Sequence, residues 1–77
     1  MQLEILSPEK NLYSGKVKSI FLPGIDGALG ILENHAPLIT VLKKGTIRIE
    51  GDGGAQQFTV NGGTVEVLKN KVIILAE

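Results

Sequence analysis

Thr46-Ile47-Arg48-Ile49-Glu50-Gly51-Asp52-Gly53-Gly54-Ala55-Gln56-Gln57-Phe58-Thr59-Val60 is the stretch that decides the fold. Residues 46–50 alternate strictly, with Ile47 and Ile49 on one side and Thr46, Arg48 and Glu50 on the other. That is the period of a strand with one buried face. Gly51-Asp52-Gly53-Gly54 reads as a hairpin tip, because glycine takes positive φ values without steric cost. Gln56 to Val60 then returns with Phe58 and Val60 inward.

The same grammar holds on both sides of this hairpin. Upstream, Leu38-Ile39-Thr40-Val41-Leu42 is apolar on both faces and predicts a central strand, turned by Lys43-Lys44-Gly45. Downstream, Asn61-Gly62-Gly63 permits a sharp corner, and Thr64–Leu68 and Lys71–Ala76 form a second hairpin across Lys69-Asn70. Val72-Ile73-Ile74-Leu75 is again apolar on both faces, so the last strand is central or covered by something else. At the other end, Gln2–Leu6 alternates with Leu3 and Ile5 together, and Ser7-Pro8-Glu9 breaks it. Lys10–Ser14 predicts a short edge strand closed by Gly15. Lys16–Leu22 changes half-way from alternating to fully apolar, which fits a bulge near Ser19 or a strand passing from an exposed edge into a covered centre. No interval between the ten glycines sustains a 3.6-residue apolar period. Short strands at this spacing predict an all-β sandwich or barrel.

A chain of 77 residues makes one small domain, burying about 60% of the surface exposed by its unfolded form. Scaffolds of this size commonly rely on a staple or a partner. With no cysteine there is no disulfide, a composition that suits a reducing compartment. Eight Lys/Arg balance eight Asp/Glu, so the basic excess of a nucleic-acid binder is missing. No apolar run approaches the length of about 18 residues that spans a bilayer, and Met1-Gln2-Leu3-Glu4 lacks the basic start of a signal peptide. A soluble domain on the cytoplasmic side is expected. The two doubly apolar strands carry more apolar surface than one thin core covers. Either the second sheet covers the excess or part of it is a binding face.

One stretch resists the strand grammar: Pro23-Gly24-Ile25-Asp26-Gly27-Ala28-Leu29-Gly30-Ile31-Leu32-Glu33-Asn34-His35-Ala36-Pro37-Leu38, which holds two of the three prolines and the only histidine. Gly24, Gly27 and Gly30 do not have the spacing of a dinucleotide loop, and no helix follows to receive a phosphate. Tight turns at a sheet edge are the simpler reading. His35 near Glu33 and Asp26 is too few ligands for zinc without cysteine. No serine sits on a strand-to-helix elbow to act as nucleophile. Catalytic residues, metal ligands and cofactors are therefore expected to be absent, and Pro37 is expected to hold His35-Ala36 extended. Lys69 raises an alternative, because small β-sandwich carrier domains present a lysine in such a turn for biotin or lipoate. Their lysine is flanked by methionines or follows an aspartate, whereas here it lies in Leu68-Lys69-Asn70. A ligand-binding or hydrolytic sandwich built on His35 and Asp26 has the least support.

The motif Pro23-Gly24-x-Asp26-Gly27-x-x-Gly30-Ile31-Leu32-x-Asn34-His35-Ala36-Pro37-Leu38 resembles the epsilon subunit of the rotary F-type ATP synthase. The similarity continues through Leu3–Glu9, Tyr13-Ser14-Gly15, Lys44–Ile49, Asn61–Val67 and Asn70–Glu77. The resemblance implies that residues 1–77 are that subunit's N-terminal domain, a flattened two-sheet β-sandwich of about nine or ten short strands. It implies a non-catalytic place on the central stalk, touching the gamma subunit and the polar loops of the c-ring, where ring rotation is coupled to ATP synthesis. Gly24, Ile25, Asp26, Gly27 and Ala28 would then face the c-ring, and His35 and Ala36 would face gamma. Location would be peripheral, at the cytoplasmic face of the bacterial inner membrane, with the membrane touched only through the complex. Two departures stand out. The family commonly has an acidic residue at the position of Ala28, and its members usually continue into two C-terminal helices that carry inhibition and, in some, ATP binding. Neither of those roles is assigned to this chain.

Overall fold

The computed structural model describes all 77 residues. Nine strands follow one another: β1 (Gln2–Leu6), β2 (Asn11–Lys16), β3 (Ser19–Gly24), β4 (Gly27–Leu32), β5 (Leu38–Leu42), β6 (Gly45–Gly51), β7 (Gly54–Val60), β8 (Gly63–Leu68) and β9 (Lys71–Ala76). They form one curled sheet in the order β2-β1-β9-β8-β5-β3-β6-β7, with β4 on β3. All pairings are antiparallel except that of β1 with β9. β5 and β3 meet through a single residue pair, Gly24 opposite Leu42. This narrow joint divides the sheet into two layers, β2-β1-β9-β8-β5 and β4-β3-β6-β7, which give the molecule extents of 26 × 23 × 18 Å.

Period-two alternation puts one row of side chains per strand between the layers. Leu3 and Ile5, Ile20 and Leu22, Ile47 and Ile49, Val65 and Val67, and Val72, Ile74 and Ala76 are buried in one cluster of 16 apolar residues. Each fully buried isoleucine or leucine stabilises by roughly 1.5–3 kcal/mol, so this row is the main source of stability. Ile47 and Ile49 lie inward as the opening hairpin requires, and Val60 follows them, while Phe58 is half-buried.

Three expectations are corrected. Gly15 does not close β2 but lies within it, opposite Leu3. A Cβ there would stand 3.2 Å from the Tyr13 hydroxyl, so glycine leaves room for that ring. Residues 16–22 are not one strand. Val17 and Lys18 separate β2 from β3, with the Val17 amide donating to the Met1 carbonyl and the Lys18 amide to the Glu50 carbonyl. Much of the glycine-proline stretch is itself a hairpin, β3 and β4, joined by Ile25-Asp26 with Gly24 opposite Gly27. Gly30 is a strand position covered by the Phe21 ring, whose Cε1 would lie 3.5 Å from a Cβ.

The doubly apolar strands also resolve. β9 is central, between β1 and β8, and β5 lies between β8 and the joint with β3. Their inward side chains enter the core, but the outward ones meet no second layer. Ile39 is 76% exposed, Val41 48% and Leu75 52%.

Candidate functional site

Two features stand out from the strand framework: the β3–β4 tip with the loop that follows β4, and the outward face of β5, β8 and β9. The tip is a two-residue connection. A Cβ on Gly24 would lie 2.6 Å from the Gly27 carbonyl oxygen, so the close approach at its base requires glycine. Gly27 has φ 131°, which glycine adopts without strain. Ile25 and Asp26 project into solvent at the end. The tip is not free to swing, because the Ile25 amide donates to the Val41 carbonyl and the Lys43 amide to the Pro23 carbonyl, both at 2.9 Å.

Residues 33–37 connect β4 to β5. Asn34 is left-handed, with φ 62°, a conformation asparagine tolerates better than most residues. Its amide donates to Asn70 Oδ1 at 2.9 Å, and Asn70 Nδ2 donates to Glu33 Oε2 at 3.0 Å. Glu33 Oε1 accepts from the Met1 ammonium, which also donates to the Val17 carbonyl at 2.9 Å. Hydrogen bonding from that ammonium, and then from Asn70, holds the Glu33 carboxyl below its ordinary range. The His35 amide donates to the Leu32 carbonyl at 3.2 Å, and its Nδ1 lies 2.7 Å from the Ala36 carbonyl. A carbonyl only accepts, so Nδ1 carries the proton in this contact. The histidine is thus occupied within its own loop. No three His, Cys, Asp or Glu side chains converge anywhere in the molecule.

The outward face is built by register. Ile39, Glu66, Ile73 and Glu4 stand side by side across β5, β8, β9 and β1, and Val41, Thr64, Leu75 and Leu6 form the next row. A groove on this face is lined by Ile39, Thr64, Val65, Glu66, Ile73 and Leu75. Lys71 and Glu4 flank it with Nζ and Oε1 3.6 Å apart. Lys69 lies at the β8–β9 turn with φ 50°, beside Asn70 at φ 61°. This two-residue turn, left-handed at both positions, suits the twist of the hairpin.

The structure brings Glu33 and Asn34 together with Asn70 and Met1, a convergence no local motif announces. The sequence did signal the outward face, through the double-sided apolarity of residues 38–42 and 72–75, without deciding whether it was covered.

Fold and surface together define a small β-sandwich domain with a restrained connecting loop and an uncovered apolar face. The chain belongs to the ATP synthase delta/epsilon family: the model described as "ATP synthase, Delta/Epsilon chain, beta-sandwich domain" matches residues 1–77. The ATP synthase epsilon chain of Desulforamulus reducens is 42% identical over 76 residues, covering 99% of this chain and 58% of that protein. That of Chlorobium limicola is 42% identical over 77 residues, covering 99% of this chain and 88% of the relative. The Helicobacter pylori (strain Shi470) protein is 39% identical, with all of this chain covering 63% of it. This chain therefore spans less than two thirds of the D. reducens and H. pylori proteins. Among solved structures, a chain of the Euglena gracilis mitochondrial ATP synthase superposes with TM-score 0.89 at 23% identity, covering 96% of this chain and 48% of that one. A chain from the Tetrahymena thermophila central stalk and c-ring gives 0.85 at 20% identity, covering 97% and 61%. At those identities the structural matches show the fold. The carrier alternative for Lys69 is not favoured, because its turn lies inside an end-to-end match to epsilon chains.

Proposed function

We propose that this chain is a non-catalytic central-stalk subunit of a proton-translocating ATP synthase, docking on gamma and the c-ring and helping to couple ring rotation to ATP synthesis. The observation that carries this is the family match over residues 1–77, joined to relatives that bear the name ATP synthase epsilon chain. Residues 1–77 are then epsilon's N-terminal β-sandwich domain. The protein lies peripherally at the cytoplasmic face of a bacterial inner membrane and meets the membrane only through the complex.

Within this reading, Gly24, Ile25, Asp26, Gly27 and Ala28 contact the polar loops of the c-ring, and His35 and Ala36 contact gamma. A rigid hairpin tip ending in Ile25 and Asp26 suits a surface that meets a turning partner, since little ordering entropy is lost on contact. The restrained 33–37 loop and the apolar face around Ile39 and Leu75 suit a protein partner better than a nucleic acid or a small charged substrate.

Gel filtration of the protein with purified gamma at micromolar concentration tests the assignment. Co-elution in a one-to-one complex is expected, and separate elution overturns it. For the ring contact, Asp26→Cys is expected to crosslink to cysteines in the c-ring loops of assembled enzyme. A variant that assembles and never crosslinks refutes that orientation.

A further inference from the structure

We propose that Glu33 and Asn70 are positioning residues that hold the 33–37 loop, and with it His35 and Ala36, in the shape against which a protein partner docks. The inference rests on the reading that His35 and Ala36 meet gamma.

Asn70 lies 36 residues from Asn34 in sequence, yet its side chain bridges the loop with both polar atoms. Oδ1 accepts from the Asn34 amide at 2.9 Å, and Nδ2 donates to Glu33 Oε2 at 3.0 Å. The Asn34 amide would otherwise face solvent at a left-handed residue just before His35. Glu33 is restrained from its other oxygen by the Met1 ammonium. Asn70 is itself fixed, because its carbonyl accepts from the Gln2 amide at 3.1 Å and its φ of 61° is set by the β8–β9 turn. The end of β4 is thus tied to a rigid hairpin turn of the other layer.

Beyond residue 34 the loop has little else to hold it. Ala36 and Pro37 are exposed, and the bond from His35 to the Leu32 carbonyl is local. A loop ordered before binding loses less conformational entropy when its partner arrives. The bridge is therefore placed to affect docking more than folding.

Asn70→Gly separates those two effects. Glycine adopts the left-handed turn freely, so the hairpin is kept while both side-chain bonds are lost. Lys69→Gly is the control, since it relaxes the neighbouring left-handed position and leaves the bridge intact. Amide hydrogen exchange at Asn34 and His35 reports the loop, thermal melting reports the fold, and titration with purified gamma reports docking. Asn70→Gly is expected to speed exchange at both amides and to weaken gamma binding by about tenfold. Its melting temperature is expected to stay near that of Lys69→Gly, which binds gamma like wild type.

Faster exchange with wild-type gamma affinity, where His35→Ala or Ala36→Asp weakens binding, overturns the positioning role and leaves the gamma contact standing. If His35→Ala and Ala36→Asp both bind like wild type, the gamma contact itself fails and the proposal falls with it. The binding of His35→Ala and Ala36→Asp tells these failures apart, because faster exchange in Asn70→Gly accompanies both. Exchange at Asn34 unchanged by Asn70→Gly also overturns the proposal.

Discussion

Tyr13 and Phe58 meet edge to face across the open seam of the sheet, their ring centroids 6.1 Å apart and their planes at 65°. They belong to β2 and β7, the two ends of the strand order. No backbone ladder joins those strands, so this side-chain contact helps close the two layers over the core. Leu12, beside Tyr13, also packs against that core.

The seam makes the first prediction. Edge-to-face aromatic pairs contribute about 0.5–1.5 kcal/mol beyond their buried area. Phe58→Ala also loses part of a half-buried side chain, so a destabilisation of about 2 kcal/mol is expected. In a double-mutant cycle, Tyr13→Ala and Phe58→Ala should couple by about 1 kcal/mol in urea melts. Strict additivity of the two losses would show that the rings do not close the seam.

Two glycines predict opposite outcomes. A Cβ on Gly63 would lie 2.2 Å from the Leu75 carbonyl oxygen, and the residue has φ 146°. Backbone cannot move aside cheaply within the β8–β9 ladder, so Gly63→Ala is expected to cost about 3 kcal/mol or more. Gly53, at the β6–β7 tip, has nothing within 4 Å of a Cβ and no positive φ. Gly53→Ala should be neutral or stabilise by up to about 1 kcal/mol, through the loss of unfolded-chain entropy. Chemical denaturation of both variants checks the pair.

How much of this was legible depends on where each interaction closes. Ile47 and Ile49, Leu3 and Ile5, and the Lys69-Asn70 turn were readable because the burial and the turn are set by neighbours in sequence. The break at Val17-Lys18 was not, since Val17 continues the apolar pattern and the break depends on pairing with Met1 and Glu50. Gly15 and Gly30 looked like turns and are strand residues, because each makes room for a ring, Tyr13 and Phe21, that no local rule predicts. The bridge through Asn70 escaped for the same reason, spanning 37 residues between Asn70 and Glu33. The motif around Asn34-His35-Ala36-Pro37 carried the family, and the motif did not show what holds it in place.

The two faces of the sheet predict different sensitivities. Ile74 is fully buried between the layers, so Ile74→Ala is expected to destabilise by about 2–5 kcal/mol through lost transfer energy and a residual cavity. Ile39 faces outward and is 76% exposed. Ile39→Thr keeps a β-branched residue in the strand and should change stability by no more than about 0.5 kcal/mol. Equal losses from the two substitutions would mean that the outward face is covered after all.

The last prediction concerns acid. Glu33 has its carboxyl held below its ordinary value of 4.5 by the Met1 ammonium and Asn70. The folded state therefore binds this proton less readily than the unfolded state does. The stability from Glu33 is complete above the ordinary carboxylate pKa and is lost as pH falls through the lower folded value. Asp52 is shifted the same way by Lys18, but both side chains of that pair are largely exposed and it contributes little. Glu33→Gln carries no titrating group, so at neutral pH it should melt below wild type. The gap should narrow as pH is lowered from about 7 to about 3, while the same gap for Asp52→Asn stays small throughout. A wild-type advantage over Glu33→Gln that is constant across this range would mean that the ammonium and Asn70 do not act on the charge of Glu33.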